Sequence, residues 1–351
     1  MSGLQSQSES NRSLKHLLGV QSTMAHNIRE HDSMISVGQR PWHGLGVTLD
    51  EPPKDGQEAL RLASLDWRVT KVPMYLSDGR QVRISGAASR RNDGHYGTIL
   101  REDTNEQLGV VGPGYTPYQN QQMAKLFDPL IADGTVRIET CGSLFNGRRV
   151  WMLAKFQSGE SQISTSEDTV ARYLMLAHGH DGTLAVRFGF TFIRVVCWNT
   201  MSLAMTDNRS KLIRCLHTSN LERNLETLRD AIDESQSVFE LTADDYRRLA
   251  SRGVSRVDLR EYARKIVEAP KDESDWTAQQ RRKVGQIVGA AMEGIGNKGR
   301  TWWDAYNGAT EYLTWTAGRR RENRLDSLWF GTNADVNQKA LGLALEMSYS
   351  S

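Results

Sequence analysis

YLMLAHGHDGTLAVRFGFTFIRVVCWNT, residues 173–200, is the stretch whose reading decides the fold. Two apolar runs flank Asp181-Gly182, a dipeptide that closes hairpins, and Asn199-Thr200 has the character of a helix start. The expectation is two antiparallel strands joined by a tight turn, then a short helix from Thr200. Arg187 and Arg194 interrupt these strands. A guanidinium in a strand core requires an anionic ligand or an internal carboxylate to offset its desolvation.

Working outward, the same alternation recurs upstream. TVRIETCGSLF (135–145) and RRVWMLAKFQ (148–157) flank Asn146-Gly147, the strongest short hairpin signal. Met123, Leu126, Phe127 and Leu130 share one face of a helix predicted over 120–132. Before it, WRVTKVPMYLS (67–77), GRQVRISGA (79–87), HYGTILRE (95–102) and QLGVVGPGYTP (107–117) read as strands separated by turns. QEALRLASLDW (57–67) reads as a short helix that buries Ala59, Leu60, Ala63 and Trp67. Residues 36–56 read as a loop, and KLIRCLH (211–217) as a last strand.

From Ser219 the pattern becomes helical, with starts expected at Ser219, Thr242, Ser255, Thr277, Thr301 and Ala334. The fold class is therefore α+β, an antiparallel β-rich N-terminal region followed by a helical C-terminal region. The expected division is a polar leader over 1–23, a β-rich domain over 24–217 and a helical domain over 218–351. Met24 could serve as an alternative start.

The 351 residues carry a net charge of only +2, so the molecule as a whole is no polycation. The charge is uneven. Residues 67–216 hold 18 Lys/Arg against 13 Asp/Glu, 222–275 hold 10 against 14, and 281–324 hold 9 against 4. Such asymmetry suits either a local polyanion site or ordinary solvated helix faces. Cys141, Cys197 and Cys215 lack CxxC spacing and suit free thiols in a reducing cytoplasm. No apolar run reaches membrane-spanning length.

Residues 294–301, GIGNKGRT, fit GxGxxG and nearly fit the phosphate loop, with Arg300 in the lysine place. Both motifs need a preceding strand, and here a helix precedes. An interhelical turn is expected, whose amides beside Lys298 and Arg300 could still meet one phosphate. His178 and His180 with Asp181 offer a partial metal set needing His43 or His217 as a third ligand, but a hairpin turn explains them more simply. No catalytic constellation is recognisable, and neither a cofactor nor a metal is expected.

The remaining lead is cationic and aromatic. Arg148 and Arg149 follow the Asn146-Gly147 turn with Trp151 close behind, Arg187 and Arg194 bracket Phe188, Phe190 and Phe192, and Tyr115 and Tyr118 flank Thr116-Pro117. Trp302 and Trp303 adjoin Lys298 and Arg300, and Arg319, Arg320 and Arg321 follow. Guanidinium groups that track phosphates and rings that stack on bases hold single-stranded nucleic acid. The plainer alternative makes the phenylalanines and tryptophans core residues.

PWHGLG (41–46), LGVVGPGYTPYQN (108–120), FTFIRVVCWNT (190–200), GNKGRTWWDAYNGATEYL (296–313) and SLWFG (327–331) together resemble the phage/plasmid-like family called domain of unknown function 932. The likeness covers roughly residues 24–348 and departs at the leader and at Trp198. It implies a phage or plasmid setting beside replication and recombination functions, and an outline similar to single-strand annealing proteins of the Erf and Red-beta type.

The expected function is a cytoplasmic, homo-oligomeric single-strand DNA-binding or annealing protein without nucleotide hydrolysis. Its contacts would be Arg148, Arg149, Trp151, Arg187, Arg194, Tyr115, Tyr118, Lys298 and Arg300. The alternatives are a protein that binds a host factor through the acid-rich segment 222–275, and a metal-dependent nuclease using His178, His180 and Asp181.

Overall fold

A computed structural model describes residues 33–38, 46–83, 94–164, 168–195, 199–203, 221–318, 327–329 and 331–350, with backbone alone at 199–203, 221–229 and 350. The leader, most of PWHGLG, Cys197, Trp198, Cys215, the strand expected at 211–217, the helix start at Ser219 and Arg319 to Arg321 lie outside the described residues.

The chain opens with β1 (Met34–Val37) and β2 (Val47–Leu49), which pair in parallel. β2 and the second half of β1 fall where a loop was expected over 36–56; strands of four and three residues are too short to show a period. Helix α1 (Gly56–Leu62) starts at Asp55, whose carboxylate accepts the Glu58 N–H. Then β3 (Val69–Pro73), β4 (Gly97–Arg101) and β5 (Gln107–Val111) form a small antiparallel sheet. The strand expected at 79–87 contributes, among its described residues, only isolated bridges from Gln81 to Tyr75 and from Arg83 to His95.

Helix α2 (Asn120–Ala132) matches its expected span and buries the four expected apolar residues. The main sheet then builds from β6 (Val136–Leu144), β7 (Arg149–Gln162), β8 (Thr169–Gly179), β9 (Arg187–Arg194) and β10 (Asn199–Leu203). Its order is β10-β9-β8-β7-β6-β1-β2. Between β6 and β7, Phe145, Asn146 and Gly147 all take positive φ, of 60°, 60° and 84°. Asn and Gly tolerate that region best, so the turn forms where the sequence placed it.

Two expectations about residues 173–200 need correction. The β8–β9 connection is no two-residue turn, because strand pairing stops at Ala177 with Arg187. The His180 N–H instead bonds the Arg148 carbonyl at 2.8 Å, and the Asp181 carboxylate folds a local turn by accepting from the Thr183 N–H and hydroxyl. The segment at Thr200 is strand β10, paired to β9, rather than a helix.

The helical region comprises α3 (Leu221–Ser251), α4 (Arg256–Val267), α5 (Ala278–Glu293), α6 (Trp302–Glu311) and α7 (Thr332–Ser350). Ser255, Thr277 and Thr301 cap α4, α5 and α6 as expected. Thr242 starts nothing: it lies inside α3, and its hydroxyl donates to the Val238 carbonyl at 2.7 Å. The last helix starts at Thr332, slightly ahead of Ala334.

Alternation along β7 and β8 sends residues to two different cores. Val150, Met152, Ala154, Leu174 and Leu176 pack with α1, α2 and the small sheet. Trp151, Leu153, Tyr173, Met175 and Ala177 pack with the helical region. The central strands are thus covered on both faces, and a polymer can reach them only at their ends. Cys141 lies in the first core.

Helices α5 and α6 approach closely at Gly308, where a Cβ would stand 2.5 Å from the Ala291 nitrogen and 2.6 Å from its Cβ. Gly308→Ala therefore forces the helices apart and costs about 2–3 kcal/mol. Gly285, exposed on α5 with open space around it, is the control: Gly285→Ala stabilises by up to about 1 kcal/mol. Urea denaturation of both variants checks the pair.

Candidate nucleic-acid interface

Five of the nine expected contact residues gather at one end of the main sheet. Pairing of Arg149 with Gly179 and of Ala177 with Arg187 brings the 145–148 turn beside the 180–186 connection. Arg148 is exposed, while Arg149 and Arg187 are half-buried. Arg149 donates to the Thr183 hydroxyl at 3.2 Å and covers the Phe145 ring at 5.5 Å. Burial pulls the Arg149 pKa below its ordinary value; Asp181 opposes this and the nearby charge of Arg187 adds to it.

The third strip of this end is the loop after β5. Lys71 fixes it, donating to the carbonyls of Gly112, Pro113 and Tyr115 at 3.0, 2.8 and 3.4 Å. The Tyr115 hydroxyl donates to the Gly179 carbonyl at 2.9 Å. Burial, with the Asp181 charge adding to it, pushes its pKa up to about 12. Tyr118 meets the His178 ring edge-on at 5.1 Å.

Behind this surface the two histidines are fully buried, with ring centroids 4.7 Å apart. His180 Nε2 shares a hydrogen bond with Asn120 Oδ1 at 3.1 Å, and Trp67 lies 5.2 Å away. Burial first, and the charge of Arg101 second, lower the His180 pKa to about 3, so it is neutral at neutral pH. Among the described residues no three His, Cys, Asp or Glu side chains group as a metal site. The Asp181 carboxylate serves the turn, while His43 and His217 lie outside the described residues.

The other four expected contacts separate from this cluster. Arg194 is 1% exposed and cannot meet a polymer. Its Nε and Nη2 bond both Asp168 oxygens at 2.6 and 3.0 Å, and Nη1 reaches Asn297 Oδ1 at 2.7 Å. Nη2 also donates to the Gly296 carbonyl at 3.0 Å. The internal-carboxylate explanation holds for this arginine. Trp151 is no stacking platform either: it is buried and packs edge-on against Trp329 at 5.5 Å. Phe188 and Phe192 are core residues, as the plainer alternative has it.

Lys298 and Arg300 are exposed but sit on the loop that Arg194 grips. Arg194 lies seven positions along β9 from Arg187, about 23 Å at extended rise. Three amides of that loop are already occupied. Asp304 accepts from the backbone N–H of Lys298, Arg300 and Thr301 at 3.1, 3.0 and 3.1 Å. A carboxylate of the chain itself stands where a phosphate would have bound.

Asp168, Asp304, Lys71 and Arg172 were not singled out from the sequence. Thr301-x-x-Asp304 does carry a capping pattern, which signals the bond to Thr301 but not the two further amides. Arg172, buried in β8, lies 3.8 Å over the Phe156 ring and donates to Ser235 Oγ at 2.9 Å. Burial lowers its pKa to about 10 against the opposing charges of Glu240 and Asp233.

A family model described as a domain of unknown function, DUF932, matches residues 107–329. The chain belongs to this family. No curated protein and no solved structure matches it. The DUF932 match runs from β5 to Trp329, so it takes in β6 to β10, α3 to α6 and the sheet end described above. No described helix is long and apolar enough to cross a membrane.

Proposed function

We propose that this DUF932 chain binds single-stranded DNA at the sheet end formed by residues 112–118, 145–149 and 180–187, and acts in annealing as a homo-oligomer without nucleotide hydrolysis. The observation that carries the reading is the convergence there of Arg148, Arg149 and Arg187 with Tyr115 and Tyr118, from three separate segments. Phosphate contacts by guanidinium groups meet one physical need of single-strand binding; Tyr115 and Tyr118 pack partly against the first core and would stack only through the ring surface they leave exposed. Annealing needs bases held open while phosphates are neutralised, and no bond is made or broken.

The rival reading, a protein-binding surface on the acid-rich helices, draws on Arg172, which ties β8 to α3 through Ser235 Oγ and the Ile232 carbonyl while Asp233 and Glu240 of that helix stay exposed. Nuclease-treated pull-down separates the two, since only a protein partner survives the nuclease.

The direct test is binding of a labelled oligonucleotide across salt concentrations. Three phosphate contacts give a log–log slope of about −2 for a single strand. Arg148→Ala removes about 0.7 of that slope and leaves stability unchanged, because Arg148 is exposed. A flat salt response removes the proposal.

A further inference from the structure

Beside the same interface lies a cleft of about 280 Å³, lined by Lys71, Pro73, Gln81, His95, Tyr96 and Pro113. It is walled on one side by the small sheet and on the other by the loop that carries Tyr115. Lys71 closes its floor: the side chain crosses Gly97, where a Cβ would stand 2.7 Å from Lys71 Cε, and ends on the three loop carbonyls. The volume falls at the lower edge of small-molecule pockets, which suits one planar heterocycle and not a threaded polymer.

The lining is of unusual composition for a surface cleft. Two prolines give apolar walls, His95 and Tyr96 contribute rings, and Gln81 brings a primary amide with both donor and acceptor capacity. Next to it, Tyr75 and Leu76 are 61% and 47% exposed on the arm that turns at Asp78-Gly79. Adjacent in the chain, the two leave apolar surface in water beside the cleft. Arg83, whose backbone bridges to His95, is exposed on the same arm.

We propose that this cleft receives one unstacked base of the bound single strand, with the Tyr96 ring against the base, Gln81 meeting its edge and Tyr75, outside the cleft, offering a stacking face for its neighbour. This deepens the single-strand reading and rests on it: the loop from Gly112 to Tyr118 would separate phosphate contacts at the sheet end from base contacts in the cleft. Because stacking and amide hydrogen bonds release no counterions, the two halves differ in their response to salt.

The experiment uses the full chain and a single-stranded oligonucleotide carrying the fluorescent base 2-aminopurine. Gln81→Ala and Tyr96→Leu each lower affinity about tenfold, within the range of one stacked base, and leave the salt slope as in the parent. The 2-aminopurine emission is quenched by the parent chain and recovers in Tyr96→Leu. Denaturation midpoints show whether the variants fold; Gln81→Ala, at a backbone bridge that needs no side chain, keeps the test open should Tyr96→Leu unfold. If both variants bind as the parent does while Arg148→Ala still flattens the slope, the cleft inference falls and the single-strand reading stands. If the parent chain binds no oligonucleotide, both fall together.

Discussion

Asp168→Ala lowers the unfolding free energy by about 3–5 kcal/mol, the range for removing one partner of a buried ion pair. The reason is what it leaves behind. Arg194 stays 1% exposed inside β9, with two of its bonds to Asp168 gone. Trp303 Nε1 and Ser164 Oγ, which donate to the same carboxylate at 2.9 and 2.7 Å, lose their acceptor too. Replacing both charges, with Asp168→Leu and Arg194→Met, recovers the part of the loss due to the stranded guanidinium but not the part due to Trp303 Nε1, which still lacks its acceptor, and to Asn297 Oδ1, which loses its donor. Urea denaturation of parent, single and double variants checks this; a single variant within about 1 kcal/mol of the parent, well under the cost of stranding a buried charge, defeats it.

The same pair sets an acid limit. Burial opposes ionisation of Asp168, but the bonds and charge of Arg194, with help from Ser164 and Trp303, hold its carboxyl below the ordinary value. A depressed folded pKa stabilises above the unfolded value, near 4, and that stability is lost as pH falls further through the folded value. His180 acts over a higher window. It is kept neutral when folded, so its contribution is complete above the ordinary histidine value near 6.5 and falls away toward its folded value of about 3.

The residues that proved legible are those governed by local rules. Asn146-Gly147 specified its turn through positive φ, Thr277 and Thr301 specified helix starts through their caps, and 120–132 specified a helix through its apolar spacing. The readings that changed depended on distant partners. Asp181-Gly182 looks like a hairpin turn, yet the His180 N–H goes to Arg148, in the turn 32 positions earlier. Arg187 and Arg194 look alike in sequence, both flanked by apolar residues. Only the fold gives one of them Asp168, 26 positions away, and places the other beside Arg149. Charge in a strand could be flagged from sequence, but its neutralisation is a property of packing.

Asp304→Ala is the second large effect, a loss of about 3 kcal/mol. One part is the cap on α6, about 1 kcal/mol; the rest is the acceptor lost to the Lys298 and Arg300 amides, which sit in a half-buried loop. Asp304→Asn falls between, because an amide keeps one oxygen and surrenders the charge. The variant also changes what the loop can bind. With the carboxylate gone, three amides point at vacated space at a helix N-terminus, an arrangement that favours anions. Phosphate then raises the melting temperature of Asp304→Ala by more than it raises that of the parent, whose amides are already filled. Excluded-solute stabilisation acts on both chains alike and cancels in the comparison. Equal shifts in the two chains contradict the claim that Asp304 stands in for a ligand, and a larger shift in the parent reverses it.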